Sequence, residues 1–390
     1  MKKKIIFITK ALWIGGIETA LANLLKQFDY ERYYVTLLVL KAELDMLPQI
    51  DPRCRVIILD RDSVVTAAEP YRHSRLFHLT EKPESPSRLH QMMMWSVPAI
   101  RWAENRLYIR YVRDYMKAES FDTAIIYSDV VAETAIRAVK ADHYLMFYHH
   151  GGMRHVYHDS IAYRKCDKII AVSEQQAEAL RSFAPAAADK ITVVQNMLDP
   201  DGIRAKANET QNDIFDKDHF HFVTVGRIAK EKGMDLAVRA CAALVNEGIR
   251  DFQWWIVGDG PEKPQLRALI AELHLEPYIK LTGMKANPYP YIRAADLYVQ
   301  PSRVESFGLT IMEALLLGKP VVSTKTYGAS EIFTCTDYGV LCDISAEALA
   351  IAVEALYRDR ERLQTLSNQR LADLARGRNR EQMKKLESIL

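Results

Sequence analysis

The 390-residue chain carries 52 Lys and Arg against 50 Asp and Glu, a formal charge of +2, and 49% of its residues are hydrophobic. That length exceeds one ordinary core and fits two domains, while the balanced charge gives no whole-chain argument for binding nucleic acid. The five cysteines, Cys54, Cys166, Cys241, Cys335 and Cys342, are scattered and form no CxxC pair; this argues against a disulfide framework or a zinc site and for a reducing compartment.

The chain opens Met1-Lys2-Lys3-Lys4 and continues Ile5-Ile6-Phe7-Ile8-Thr9. Lys10 and then Gly15-Gly16 cut the apolar run too early for a secretion signal, so it reads as a first buried strand. No run of about 20 apolar residues follows, and no membrane span is expected. Further short apolar runs recur at Tyr34–Leu40, Val56–Leu59, Ala124–Tyr127, Leu145–Tyr148, Ile169–Val172 and Ile191–Val194. They lack polar alternation, as strands buried on both faces of a parallel sheet do. Helical patterns at Ile17–Phe28 and Val131–Val139 lie between them, and this alternation predicts a doubly wound α/β sheet.

Residues 61–117 interrupt the pattern with ten Lys/Arg against six Asp/Glu. Arg106, Arg110, Arg113 and Lys117 fall at helical spacing. The simpler reading is a solvated helix whose core stripe is Trp102, Leu107, Ile109 and Val112; the loop before it is the better acceptor-binding candidate, with a membrane-surface element as the other reading. A polar stretch, 201–217, then reads as a linker. Strands resume at Phe222–Val225, Trp254–Val257, Ile279–Thr282, Leu297–Val299 and Val321–Ser323. Helices fit Lys232–Glu247, stopped by Gly248, and Pro261–Leu273, opened by Pro261. Two Rossmann-like halves imply a cleft, with ligands beyond the carboxyl ends of the strands.

Two segments there carry chemistry. In Glu305-Ser306-Phe307-Gly308-Leu309-Thr310-Ile311-Met312-Glu313, a helix beginning at Gly308 and Leu309 would offer free N–H groups to a phosphate. Glu313 would accept from ribose hydroxyls, and Glu305 would hold hydroxyls of a sugar. The alternative is a capping box of Thr310 and Glu313. In Gly226-Arg227-Ile228-Ala229-Lys230-Glu231-Lys232-Gly233, fixed cations at Arg227 and Lys232 suit the charge that develops on a departing diphosphate. The alternative there is two solvated side chains in a turn.

Taken together with Val257-Gly258-Asp259-Gly260-Pro261, Gly283, Gly318-Lys319-Pro320 and Gly328-Ala329-Ser330-Glu331, these segments resemble the family-4, group 1 retaining glycosyltransferases of the GT-B fold. The first half resembles them more loosely, through Gly15-Gly16-Ile17-Glu18, a histidine after the fifth strand, and Ala171-Val172-Ser173. The resemblance implies two facing Rossmann-like domains: residues 1–200 for the acceptor, rejoined by a C-terminal helix at about 373–390, and 218–372 for a nucleotide sugar. It implies Arg227 and Lys232 on the donor diphosphate, Gly16 approaching the donor phosphate, and Gly283 and Met284 along the base. It places Glu305 and His150, with His149 as the alternate, at the transferred sugar, Glu313 on the ribose, and Phe307, Gly308 and Leu309 in donor binding. It further implies transfer with retention from a nucleotide sugar, most often of uridine diphosphate, to a glycan, lipid-linked or other cell-envelope acceptor. No metal or other cofactor is expected, and the place is the cytoplasm with peripheral contact at the inner membrane face. Asn196-Met197 departs from the Asn-Gly usual in the family.

A dehydrogenase is rejected because the first loop has only Gly15-Gly16 rather than GxGxxG. Asp199-Pro200-Asp201 and Asp216-Lys217-Asp218 look like metal-binding pairs but lie in or beside the linker. A non-catalytic subunit supporting a partner transferase and an epimerase of the same fold remain as alternatives.

Overall fold

A computed structural model describes residues 2–61, 97–150, 160–209, 214–334, 339–367 and 371–390. The expected acceptor loop before residue 97 lies outside these, as do residues 151–159. The chain divides into two compact units: 1–148 with 156–170 and Leu390, and 149–155 with 171–389.

The first sheet has the order β3-β2-β1-β4-β5-β6-β7. Its strands are β1 (Lys3–Thr9), β2 (Tyr33–Val39), β3 (Arg55–Ile58), β4 (Phe121–Ile126), β5 (Ala141–Tyr148), β6 (Lys168–Ala171) and β7 (Ile191–Val193). The second runs β10-β9-β8-β11-β12-β13. It is built from β8 (Phe220–Val225), β9 (Phe252–Val257), β10 (Ile279–Gly283), β11 (Leu297–Gln300), β12 (Val321–Thr324) and β13 (Gly339–Cys342). The central strands are apolar because both faces are covered: every residue of β8 and β11 is buried. The expected α/β, doubly wound architecture is therefore present in both halves. In each sheet the strand order reverses beside the first strand, between β1 and β4 and between β8 and β11. Such reversals open a crevice beyond the carboxyl ends of the strands.

Three local expectations change. The helix of the second half begins at Lys263, with Pro264 rather than Pro261 in its first turn. In the helix Val97–Met116 the buried face is Tyr108, Ile109, Val112 and Met116, whereas Leu107 is 54% exposed. The stripe is rotated because the Tyr108 hydroxyl turns inward to donate to the carbonyls of Leu40 and Leu59. Strand β13 carries no long apolar run in the sequence; it is a short edge strand whose first three residues are only half-buried.

The expected linker begins with a helix, Pro200–Ala207, whose N-cap is Asp199. Asp199 accepts from Gly202 N and Asp201 pairs with Arg376. Asp216 accepts from the backbone of Asp218 and His219. These lookalike acidic pairs thus serve helix and turn. The helix Leu371–Glu387 is tied to the segment after β7: Asn379 bonds both backbone groups of Leu198, and Gln382 accepts from Gln195 N. In the first unit, the Leu390 carbonyl accepts from Lys3 Nζ and Thr123 Oγ1.

Candidate functional site

The two sequence segments singled out for chemistry are the loops at the switch point of the second sheet, after β8 and after β11. The backbone joins them directly: Arg303 N and Val304 N both donate to the Glu231 carbonyl, at 2.9 and 3.1 Å. The Arg303 guanidinium forks onto Asp235 and, at 2.6 Å, holds its carboxylate below the usual range. Gly233 is left-handed at φ 62°, and a Cβ there would sit 2.1 Å from the Pro301 carbonyl oxygen, so no larger residue fits this crossing.

This contact brings Lys232 Nζ to 2.5 Å from Glu305 Oε1, with both side chains largely buried. Gln300 Nε2 and Ser302 Oγ, from the end of β11, approach the same oxygen at 3.4 Å. Arg227 lies further out, pairing with Glu231 on the surface, with its side chain 66% exposed. The two expected cations are thus in one loop but in different environments.

The helix Leu309–Leu316 begins where expected. Its N-cap is Gly308 at φ 83°, with no side-chain cap. Thr310 does not form the capping box; its hydroxyl donates to Gln300 Oε1 at 3.1 Å. The helix start keeps its free backbone N–H groups, the ordinary anion-binding feature of such ends. Glu313 lies inside, 4% exposed, accepting from the Tyr289 hydroxyl at 3.0 Å. Burial pushes its carboxyl up to about 7, against the opposing effects of Tyr289 and Lys206. The Tyr289 hydroxyl is in turn raised well above its ordinary value, first by burial and then by Glu313.

Phe307 is buried, with the Arg378 guanidinium 5.2 Å from its ring centroid, so its side chain braces the loop and only its backbone can face a ligand. Gly283 ends β10 at φ 74° with its carbonyl taken by Gly258 N, and Met284 after it is 59% exposed. The His149 carbonyl accepts from Ser306 Oγ at 2.7 Å, and that of His150 from Gln176 Nε2 at 2.6 Å. Both backbone oxygens are therefore engaged. Gly16 belongs to the first unit, where it opens the helix Gly16–Gln27 after β1. Glu18, in that first turn, is buried, and its carboxyl is pushed up to about 7 by burial.

Gln300, Ser302 and Tyr289 were not foreseen. A glutamine closing an apolar strand, with a serine two residues on, was a readable sign of a buried polar cluster; nothing marked Tyr289 within Pro288-Tyr289-Pro290-Tyr291.

Two family models match the chain: Glycosyltransferase Family 4 over residues 14–201 and Glycosyl transferases group 1 over residues 206–371. Among curated proteins it is 34% identical over 189 residues to the N-acetylgalactosamine-N,N'-diacetylbacillosaminyl-diphospho-undecaprenol 4-alpha-N-acetylgalactosaminyltransferase of Campylobacter jejuni, covering 48% of this chain and 50% of that one. It is equally identical over 192 residues to the 2-deoxystreptamine glucosyltransferase of Streptomyces kanamyceticus, covering 47% and 46%. The chain therefore spans about half the length of the curated relatives it matches. Among solved structures, Anabaena HepE in complex with UDP and glucose superposes with a TM-score of 0.73 at 20% identity, over 99% of this chain and 100% of that one. This likeness establishes the GT-B fold.

Proposed function

From the premise that the chain belongs to the family-4, group 1 glycosyltransferases, we propose that it transfers a sugar from a uridine-diphosphate donor to a glycan or lipid-linked acceptor, with retention and without a metal. The observation that carries this is the meeting of Lys232 with Glu305 beside the start of the Gly308 helix. In the reaction the donor diphosphate lies on the N–H groups of Gly308 and Leu309, with Lys232 as the near cation and Arg227 as the outer one. Met284 and Gly283 flank the base, and Glu313 takes the ribose hydroxyls, sharing them with Tyr289. Glu305 and the His150 imidazole hold the sugar.

The bond from the anomeric carbon to the phosphate oxygen breaks as the bond to the acceptor oxygen forms on the same face. The leaving phosphate takes the acceptor's proton. Charge grows on the diphosphate as this happens, and preorganised cations and amides stabilise that charge more than the ground state. HepE was crystallised with UDP, and the Campylobacter relative is named for a diphospho-undecaprenol substrate; both favour this donor and a lipid-linked acceptor. We place the protein in the cytoplasm, touching the inner membrane face through the helix Val97–Met116. There Arg106, Arg110, Arg113 and Lys117 are exposed beside Leu107, Tyr111 and Tyr115. No helix among the described residues is long and apolar enough to cross a membrane.

The test is thermal denaturation with UDP, GDP and ADP in the presence of EDTA, followed by mass spectrometry of UDP-sugar turnover. UDP is expected to raise Tm and a UDP-sugar to be hydrolysed slowly, both without metal. A Tm unmoved by any nucleoside diphosphate, or moved only when a divalent ion is restored, overturns the reading.

A further inference from the structure

The first unit holds a second loop at a switch point, and the donor reading leaves most of it unused. Strand β1 stands where the order of its sheet reverses, next to β4, so the loop that follows, Lys10 to Gly15, borders the crevice of that sheet. Its residues divide sharply. Ala11 and Leu12 are fully buried, whereas Trp13 and Ile14 are 39% and 38% exposed.

Trp13 is nevertheless held. Glu18 lies beside it, and the indole side chain partly offsets the rise that burial imposes on that carboxyl. Lys10 Nζ lies 5.2 Å from its ring centroid, within cation–π range. Gly15 leaves the space the two side chains occupy: a Cβ there would lie 2.6 Å from Glu18 Oε2 and 3.4 Å from the indole. The loop beneath is fixed too, because Leu12 N donates to the Glu43 carbonyl and the Leu12 carbonyl accepts from Met46 N, both at 2.7 Å. A large aromatic left partly in solvent, yet fixed by a buried carboxyl, a cation and a glycine made to fit it, is a preorganised platform rather than a stray surface residue.

We propose that Trp13 is the stacking platform for a pyranose ring of the acceptor, with Lys10, whose ammonium lies over the indole, taking hydroxyls of the sugar, and Glu18 as the positioning residue that sets the indole. A pyranose suits such a site. One face presents C–H groups that pack on an aromatic surface, while its hydroxyls project around the rim toward charged partners, the usual division of apolar and polar contacts in a small-molecule site. The inference rests on the transferase reading, since it assigns the sugar to the acceptor. It adds that the acceptor ends in a hexose ring rather than in a bare lipid phosphate or an amino-acid hydroxyl.

Saturation-transfer NMR on the full chain tests it. The probes are methyl glucoside, methyl galactoside, methyl mannoside and methyl N-acetylglucosaminide, with open-chain glucitol as the control that has no ring face. At least one methyl glycoside is expected to bind, through its C–H protons, where glucitol does not. Trp13→Ala should weaken that binding about tenfold. Trp13→Phe, which keeps a ring face and loses the N–H, should hold it within about threefold, and Glu18→Gln should fall between the two. UDP binding should be unchanged in all three variants. The inference is overturned if no methyl glycoside binds, or if Trp13→Ala binds as the unaltered protein does. UDP bound normally in either case leaves the transferase reading standing, whereas failure to bind UDP removes both.

Discussion

Glu305 and Glu313 stand eight residues apart in one segment, yet their surroundings are opposite. Glu305 sits in a loop against Lys232, with Gln300 and Ser302 on the same oxygen, and is a partnered carboxylate. Glu313 is sealed inside the following helix with Tyr289 as its hydroxyl donor, and burial holds it near neutrality in the pH range where an ordinary glutamate is ionised. Identical side chains at fixed spacing thus carry different chemistry. One answers a cation and is arranged for charge. The other is buried and accepts from a hydroxyl, that of Tyr289. In the proposed reading, this contrast divides the sugar-and-phosphate end of the site, at Glu305, from the ribose end, at Glu313.

The largest effect is expected at Lys232. Lys232→Ala should reduce donor turnover by about 10²- to 10³-fold, the range seen when a transition-state donor is removed, and abolish stabilisation by UDP in thermal denaturation. It also leaves the largely buried Glu305 without its cation, which costs stability in its own right. Lys232→Ala with Glu305→Gln should therefore melt higher than Lys232→Ala alone while being no more active. If Lys232→Ala keeps the full UDP-induced rise in Tm, Lys232 does not meet the diphosphate.

Glu313 gives the next effect, and its sign is opposite. Its folded pKa, about 7, lies above the ordinary 4.5. Below 4.5 both folded and unfolded states are protonated there and the group costs nothing. As pH rises from 4.5 through 7, stability is lost, because the unfolded chain releases its proton before the folded one does. Glu313→Gln should consequently stabilise the free protein at pH 8 by an amount on the order of 3 kcal/mol, with the gain gone near pH 4. The same change should weaken UDP binding, because the amide accepts ribose hydrogen bonds less strongly than a carboxylate. Urea unfolding at pH 4, 6 and 8 reads the first effect; a gain that does not grow with pH would contradict it.

Much of the fold was legible because its central strands are apolar on both faces. Phe222–Val225 and Leu297–Val299 were placed within two residues of β8 and β11, and the loops after them carry the glycines and charges that pointed to phosphate chemistry. The edge strand β13 was not legible, since half-burial removes the composition signal. Leu107 misled for the reverse reason: an apolar residue at the correct spacing faces outward, because the tyrosine beside it has a hydroxyl that needs the buried carbonyls of Leu40 and Leu59. Within the site, spacing could place Lys232 and Glu305 after neighbouring strands but not join them. That depends on Gly233 crossing the Pro301 carbonyl, a contact between residues far apart in the chain. The partner of Glu313 was out of reach for the same reason.

Arg227 offers the smallest and sharpest test, since it shares a loop with Lys232 and differs from it mainly in exposure. Its ion pair with Glu231 is on the surface, and such pairs contribute little. Arg227→Ala should change stability by no more than about 0.5 kcal/mol. If the guanidinium swings from Glu231 to the donor, the same variant should bind UDP about five- to tenfold more weakly at low salt, and the difference should shrink at high salt as an exposed charge is screened. The loss in Lys232→Ala should persist, because that ammonium is largely buried. Arg227→Lys should recover only part of the affinity, having the charge without the planar fork. Calorimetric titration of UDP at two ionic strengths distinguishes the cases. Equal salt dependence in both variants would mean the two cations meet the diphosphate alike, and the division of this loop into an inner and an outer charge would be wrong.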